Sequence, residues 1–112
     1  MYQGRMVLCA SNAYEKKYYL NPDFNNLPGA IQDELKVMCV LFTEEIGGIL
    51  SLVFEEDGTL RFEVSANEED LLFDEIGSVL KIKQLQQNKR EMLEALEMFY
   101  KVFFLGEEWG EE

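Results

Sequence analysis

Hydrophobic positions along this chain change their period several times, and each change marks the boundary of an element. Residues 6 to 11 (MVLCAS) and 16 to 20 (KKYYL) are short segments with β-branched or aromatic content on either side of NAYE, a pattern that predicts a β-hairpin. The next nine residues, NPDFNNLPG, hold two prolines, three asparagines and one glycine, which break any regular element. Phe24 and Leu27 are expected to pin this loop to the core. From Gly29 the period becomes helical, with Ile31, Leu35, Met38, Phe42 and Ile46 recurring every three or four residues. Val37, Cys39, Val40 and Leu41 occupy the other faces, so the second half of this helix is expected to be buried nearly all round. Pro28 suits a first helical turn, Asp33 and Glu34 lie near the positive end of the helix dipole, and Gly47-Gly48 supplies a left-handed cap.

Strict alternation follows in ILSLVFEEDGTLRFEV, the clearest hairpin in the chain. Its register follows from its faces. A two-residue Asp57-Gly58 loop would pair Phe54 with Arg61 and set opposite faces together. A three-residue loop, Glu56-Asp57-Gly58, pairs Phe54 with Leu60, Leu52 with Phe62 and Leu50 with Val64, with Gly58 in a left-handed bulge position. After the polar SANEED, a helical region runs from about Leu71 to Leu105, as one helix or as two joined near Asn88. Lys89 falls on the apolar stripe and interrupts it, which implies a bend, an exposed stretch or a snorkelling lysine. Glu97 and Lys101 are spaced as an outward i,i+4 pair.

The sum is ββαββα, an α+β fold. Each half has an apolar face that it cannot bury alone, so the expected architecture is a two-layer sandwich: a four-stranded antiparallel sheet with helices on one side. Helices on both faces, as in profilin-like or roadblock-like folds, are the alternative. Composition agrees with a single domain over residues 1–112. With 47% hydrophobic residues a chain of this length is expected to hide roughly 65% of its unfolded surface, with no need of disulfide or metal. Cys9 and Cys39, in apolar runs and without C-x-x-C spacing, read as buried reduced thiols.

Charge changes the picture more. Twenty-two acids against ten bases give a net charge of −12, and there is no histidine. A field of that sign repels nucleic acid and anionic lipid and favours a basic protein or a cation. The N-terminal MYQGRMVLCASN lacks a secretory signal pattern and no run approaches the roughly 18 apolar residues of a membrane span, so the expected location is the cytoplasm.

Chemistry is sparse. Without histidine, Ser11, Ser51, Ser65, Ser78 and both cysteines lack the usual catalytic base. Gly47-Gly48 lacks the trailing Gly-Lys-Ser/Thr of a phosphate loop. The acidic clusters fail the EF-hand test, since Gly58 at position six would put Val53 and Val64 where carboxylates are required. A discontinuous divalent-metal site from Glu44, Glu45, Asp74 and Glu75 is one candidate. Glu44 and Glu45 stand at the unfavourable end of their helix dipole and need either a partner such as Arg61 or a use. The segment EEIGGIL (44–50) returns as DEIGSVL (74–80), but the first copy reads as a helix end and the second as helix interior, so the repeat is not a duplicated site. Gly77, costly inside a helix, calls for a close approach of sheet or helix.

The second candidate is an interface. Lys81, Lys83, Lys89 and Arg90 hold four of the ten positive charges, and residues 76–90 contain no acid. That segregation suits either a self-complementary contact with a second copy or a face satisfied within the monomer. In the C-terminal MFYKVFFLGEEWGEE the aromatic surface exceeds one stripe, and Phe104 and Trp109 are candidates for a partner surface.

Taken together, KKYYLNPDF, LFTEEIGGILSLVFEEDGTL and the acidic C-terminus resemble a family of short acidic bacterial proteins of unknown function. The resemblance implies a bacterial cytosolic source and brings no activity or ligand. The expected function is therefore a non-enzymatic interaction module, self-associating or binding a basic protein partner, with no cofactor, nucleic acid or membrane. The alternative is a carboxylate-based divalent-metal protein with hydrolytic or small-ligand function.

Overall fold

The computed structural model describes residues 4–107. Strands β1 (Met6–Asn12) and β2 (Lys17–Leu20) are followed by a 3-10 turn (Pro22–Phe24) and helix α1 (Gly29–Ile46). Strands β3 (Ile49–Phe54) and β4 (Leu60–Ser65) come next, and helices α2 (Glu75–Asn88) and α3 (Arg90–Phe103) complete the chain. The order is thus ββαββαα with an added 3-10 turn, which corrects ββαββα. The last helical region is broken at Lys89, whose φ of −111° and ψ of 22° lie outside the helical basin. Its ammonium reaches Glu34 of α1 at 3.0 Å, so the lysine on the apolar stripe marks a bend anchored to a neighbouring helix.

The sheet is antiparallel throughout, in the order β2-β1-β3-β4. Between β3 and β4 the register pairs Phe54 with Leu60, Leu52 with Phe62 and Leu50 with Val64. Glu55 and Thr59 close a three-residue loop, N···O 2.8 Å, with Gly58 at φ 92°. In β1 a bulge at Leu8 lets two successive residues, Leu8 and Cys9, both turn inward and become fully buried.

All three helices share one core with one face of this sheet. Leu35, Met38, Cys39 and Phe42 of α1, Leu85 of α2, and Met92, Leu93, Leu96 and Tyr100 of α3 meet Leu50, Leu52, Phe54 and Leu60. At its centre Phe54 stacks on Tyr100 with ring centroids 4.2 Å apart, and Phe24 stacks on Phe54 at 5.6 Å. Phe24 and Leu27 do pin their loop to the core. The opposite sheet face, with Val7, Arg61 and Glu63, carries an ion-pair network joining Arg5 to Glu55 and Glu63, and Arg61 to Glu55.

Three local expectations are corrected. Val37 and Leu41 are more than half exposed, because α1 covers the sheet with one side and meets α2 along one flank, leaving its outer face to water. Glu97 leaves Lys101 and accepts the Leu60 N–H at 2.7 Å, while the Lys101 stem lies over Gly58. Leu71 and Leu72 form no helix; they stand in a turn ahead of α2, almost wholly exposed. That connection is held by Tyr14, whose hydroxyl donates to Asp70 at 2.6 Å and accepts the Asn67 N–H at 3.1 Å. The Asp70 carboxylate holds the Tyr14 phenol above its ordinary range.

Candidate functional site

The four carboxylates proposed for a metal have separate tasks. Glu45 is engaged by the Lys81 ammonium at 3.2 Å, which supplies the counter-charge expected of Arg61. Asp74 caps α2, accepting the Gly77 N–H at 2.8 Å. Glu44 borders a cleft on the far side of α1, and Glu75 opens α2. Among the described residues no three acidic or thiol side chains converge as a metal-binding group.

The basic segment divides in two. Lys81 and Lys89 face α1 and pair with Glu45 and Glu34, tying the antiparallel helices together at two points. Lys83 and Arg90 point to solvent and have no ion-pair partner among the described residues. Between the acidic entrance of α2 and these cations lies an apolar surface. Ser78 and Leu85 are the buried side of the helix, so the i,i+3,i+4 set Ile76, Val79 and Leu80 falls on the outside. Those three are 76%, 53% and 62% exposed, and with Glu75 they line one shallow depression. Sequence reasoning placed Leu80 within the helix but missed this face; the signal was an aliphatic trio out of phase with the Ser78–Ile82–Leu85 stripe.

A second concavity was not legible at all. A cleft of about 650 Å³ lies between α1 and the first hairpin, bordered by Lys16, Lys17 and Lys36, with Ser11, Thr43 and Tyr18 among its lining residues. Ser11 and Thr43 hydroxyls satisfy each other at 2.8 Å. Beneath it the Cys9 and Cys39 thiols are free, buried and 3.8 Å apart. Their mutual hydrogen bond and burial push the Cys39 thiol far above the reactive range, so neither chemistry nor metal binding is favoured there.

The C-terminal aromatics behave differently from expectation. Phe104 turns its ring toward the core, 4.9 Å from Phe24 and 5.0 Å from Tyr100, and is half-buried at the edge of the aromatic stack. Phe103 takes the exposed position instead. Trp109 lies outside the described residues.

The model of one protein family spans residues 5–108, nearly the whole described chain. The chain belongs to DUF6145, a family of unknown function. No curated protein and no solved structure matches it. Membership of DUF6145 therefore brings no activity, and no helix among the described residues is long and apolar enough to cross a membrane. The outer face of α2 combines exposed aliphatic side chains with a cation, Lys83, and a carboxylate, Glu75, that have no ion-pair partner among the described residues.

Proposed function

We propose that this protein is a polypeptide-binding module that docks through the outer face of α2. One observation carries the reading: Ile76, Val79 and Leu80 stand 76%, 53% and 62% exposed on one helix face of a chain with a net charge of −12. Aliphatic surface grouped on one face and rimmed by charge is characteristic of a surface that is covered in use. Each branched side chain withdrawn from water contributes roughly 1.5–3 kcal/mol, more than exposed ion pairs supply. The free thiols at Cys9 and Cys39 support a reducing, cytoplasmic setting. No observation favours the divalent-cation alternative.

The test is retention of bound polypeptide on the immobilised protein, comparing the unaltered chain with Val79→Glu. Val79 is solvent-facing, so the substitution should leave the helical circular dichroism unchanged while retention falls at least tenfold. Equal retention by both would refute the assignment.

A further inference from the structure

The reading of α2 as a docking surface leads, if it holds, to the identity of its occupant. Charge along this part of the chain is polarised. Glu68, Glu69, Asp70, Asp74 and Glu75 precede the aliphatic trio; Lys81, Lys83, Lys89 and Arg90 follow it. Lys81 and Lys89 are neutralised by α1, and Asp74 is held by the helix start that it caps. On the outside this leaves Glu75 on one side of the apolar surface and Lys83 on the other, with Val79 four residues from each.

That spacing is self-complementary. Two α2 helices laid antiparallel about a two-fold axis through Val79 place every residue at 79 + k opposite the residue at 79 − k. Each Lys83 then meets Glu75 of the second copy, roughly 12 Å along the axis from its own Glu75, and the aliphatic surfaces close on each other in the middle. A parallel arrangement would set lysine on lysine and glutamate on glutamate. A uniformly basic partner would meet Lys83 and Arg90, and a uniformly acidic one would meet Glu75 and the run 68–70; a second copy satisfies both signs. Two molecules of charge −12 repel over most of their surfaces, and the stretch 76–90, free of acids, is where two copies approach with least opposition.

We infer that the protein forms an isologous dimer through antiparallel α2 helices, with Val79 at its centre, Ile76 and Leu80 on its flanks and a Lys83–Glu75 pair at each end. The experiment is sedimentation equilibrium of the full chain across micromolar to millimolar concentration, expected to show twice the 13.0 kDa chain mass. Val79→Glu should sediment as a monomer. Glu75→Lys and Lys83→Glu should each weaken the dimer roughly tenfold, since each turns two attractive contacts into repulsive ones. An equimolar mixture of those two variants should restore association, because the reversed charges then face one another.

A monomeric unaltered chain overturns the dimer, and so does a mixture no stronger than its components. The two readings separate cleanly. A monomer that still retains another polypeptide in a Val79-dependent way refutes the second copy and keeps the docking face; a monomer with no Val79-dependent retention removes both.

Discussion

The segments 44–50 and 74–80 share four of seven residues and have nothing else in common except that they are neighbours. In the first, Glu44, Glu45 and Ile46 end α1, Gly47 and Gly48 turn the chain at φ of 91° and 75°, and Ile49 and Leu50 begin β3. In the second, Asp74 caps α2 and every later residue is helical. The same glycine letter does opposite work. Gly47, the counterpart of Gly77, is required together with Gly48 by a backbone that L-residues avoid, whereas Gly77 sits in an ordinary helical turn. The residues that flank the second segment reach the first: Phe73 packs on Gly48 and Lys81 pairs with Glu45. A heptad therefore specifies no conformation; the residues flanking it decide whether it stops a helix or starts one.

The largest effect that this contrast predicts is at Gly48. A Cβ there would stand 2.6 Å from the Ser65 carbonyl and 2.8 Å from the Phe73 ring, on a backbone at φ 75°. The carbonyl is part of β4 and cannot swing away as a side chain can. Gly48→Ala should destabilise the fold by roughly 3 kcal/mol, combining left-handed strain with overpacking. Urea denaturation should show this as a lower midpoint at unchanged slope, and a loss under about 1 kcal/mol would mean that the turn relaxes freely. Next in size is Asp74→Ala, which removes the acceptor of the Gly77 N–H and should cost about 1 kcal/mol. Its measurable signature is partial: α2 frays at its start while the core stays intact, so amide exchange should accelerate at residues 75–78 ahead of those in α3.

How far the sequence could be read follows the same division between local and non-local causes. The β3–β4 hairpin was legible to the register because alternation fixes the faces and Gly58 fixes the loop. The break at Lys89 was legible as a fault in a stripe, though its choice among bend, exposure and snorkelling required Glu34, fifty-five residues away, to come within 3.0 Å. The Leu8 bulge was hidden because MVLCAS is apolar without alternation, and such a run carries no face. Leu71 and Leu72 extended the helical pattern in letters, while the Asp74 cap, a signal present in the sequence, sets the true start. At the candidate site, the acid-free run 76–90 could be seen, but which of its cations α1 neutralises could not. The cleft bordered by Lys16, Lys17 and Lys36 depends on how a hairpin docks on a helix, and nothing local encodes that.

Gly77 offers the smallest effect and the sharpest discrimination. A glycine in the first turn of a helix forgoes roughly 1 kcal/mol relative to alanine, so its presence beside a working cap calls for a cause. The cause is in the cap itself. A Cβ on Gly77 would lie 2.3 Å from Oδ2 and 2.7 Å from Cγ of Asp74, so alanine forces the capping carboxylate aside. Gain in helix propensity and loss of the cap then nearly cancel, and Gly77→Ala should change stability by less than about 0.5 kcal/mol. Once Asp74 is already alanine there is no carboxylate to displace, and the same Gly77→Ala change should stabilise by nearly the full propensity difference, about 1 kcal/mol. The double-mutant cycle thus predicts a favourable coupling between two substitutions that singly do harm or nothing. Simple additivity would mean that the glycine serves some neighbour other than the cap, and would reopen why DEIGSVL keeps it.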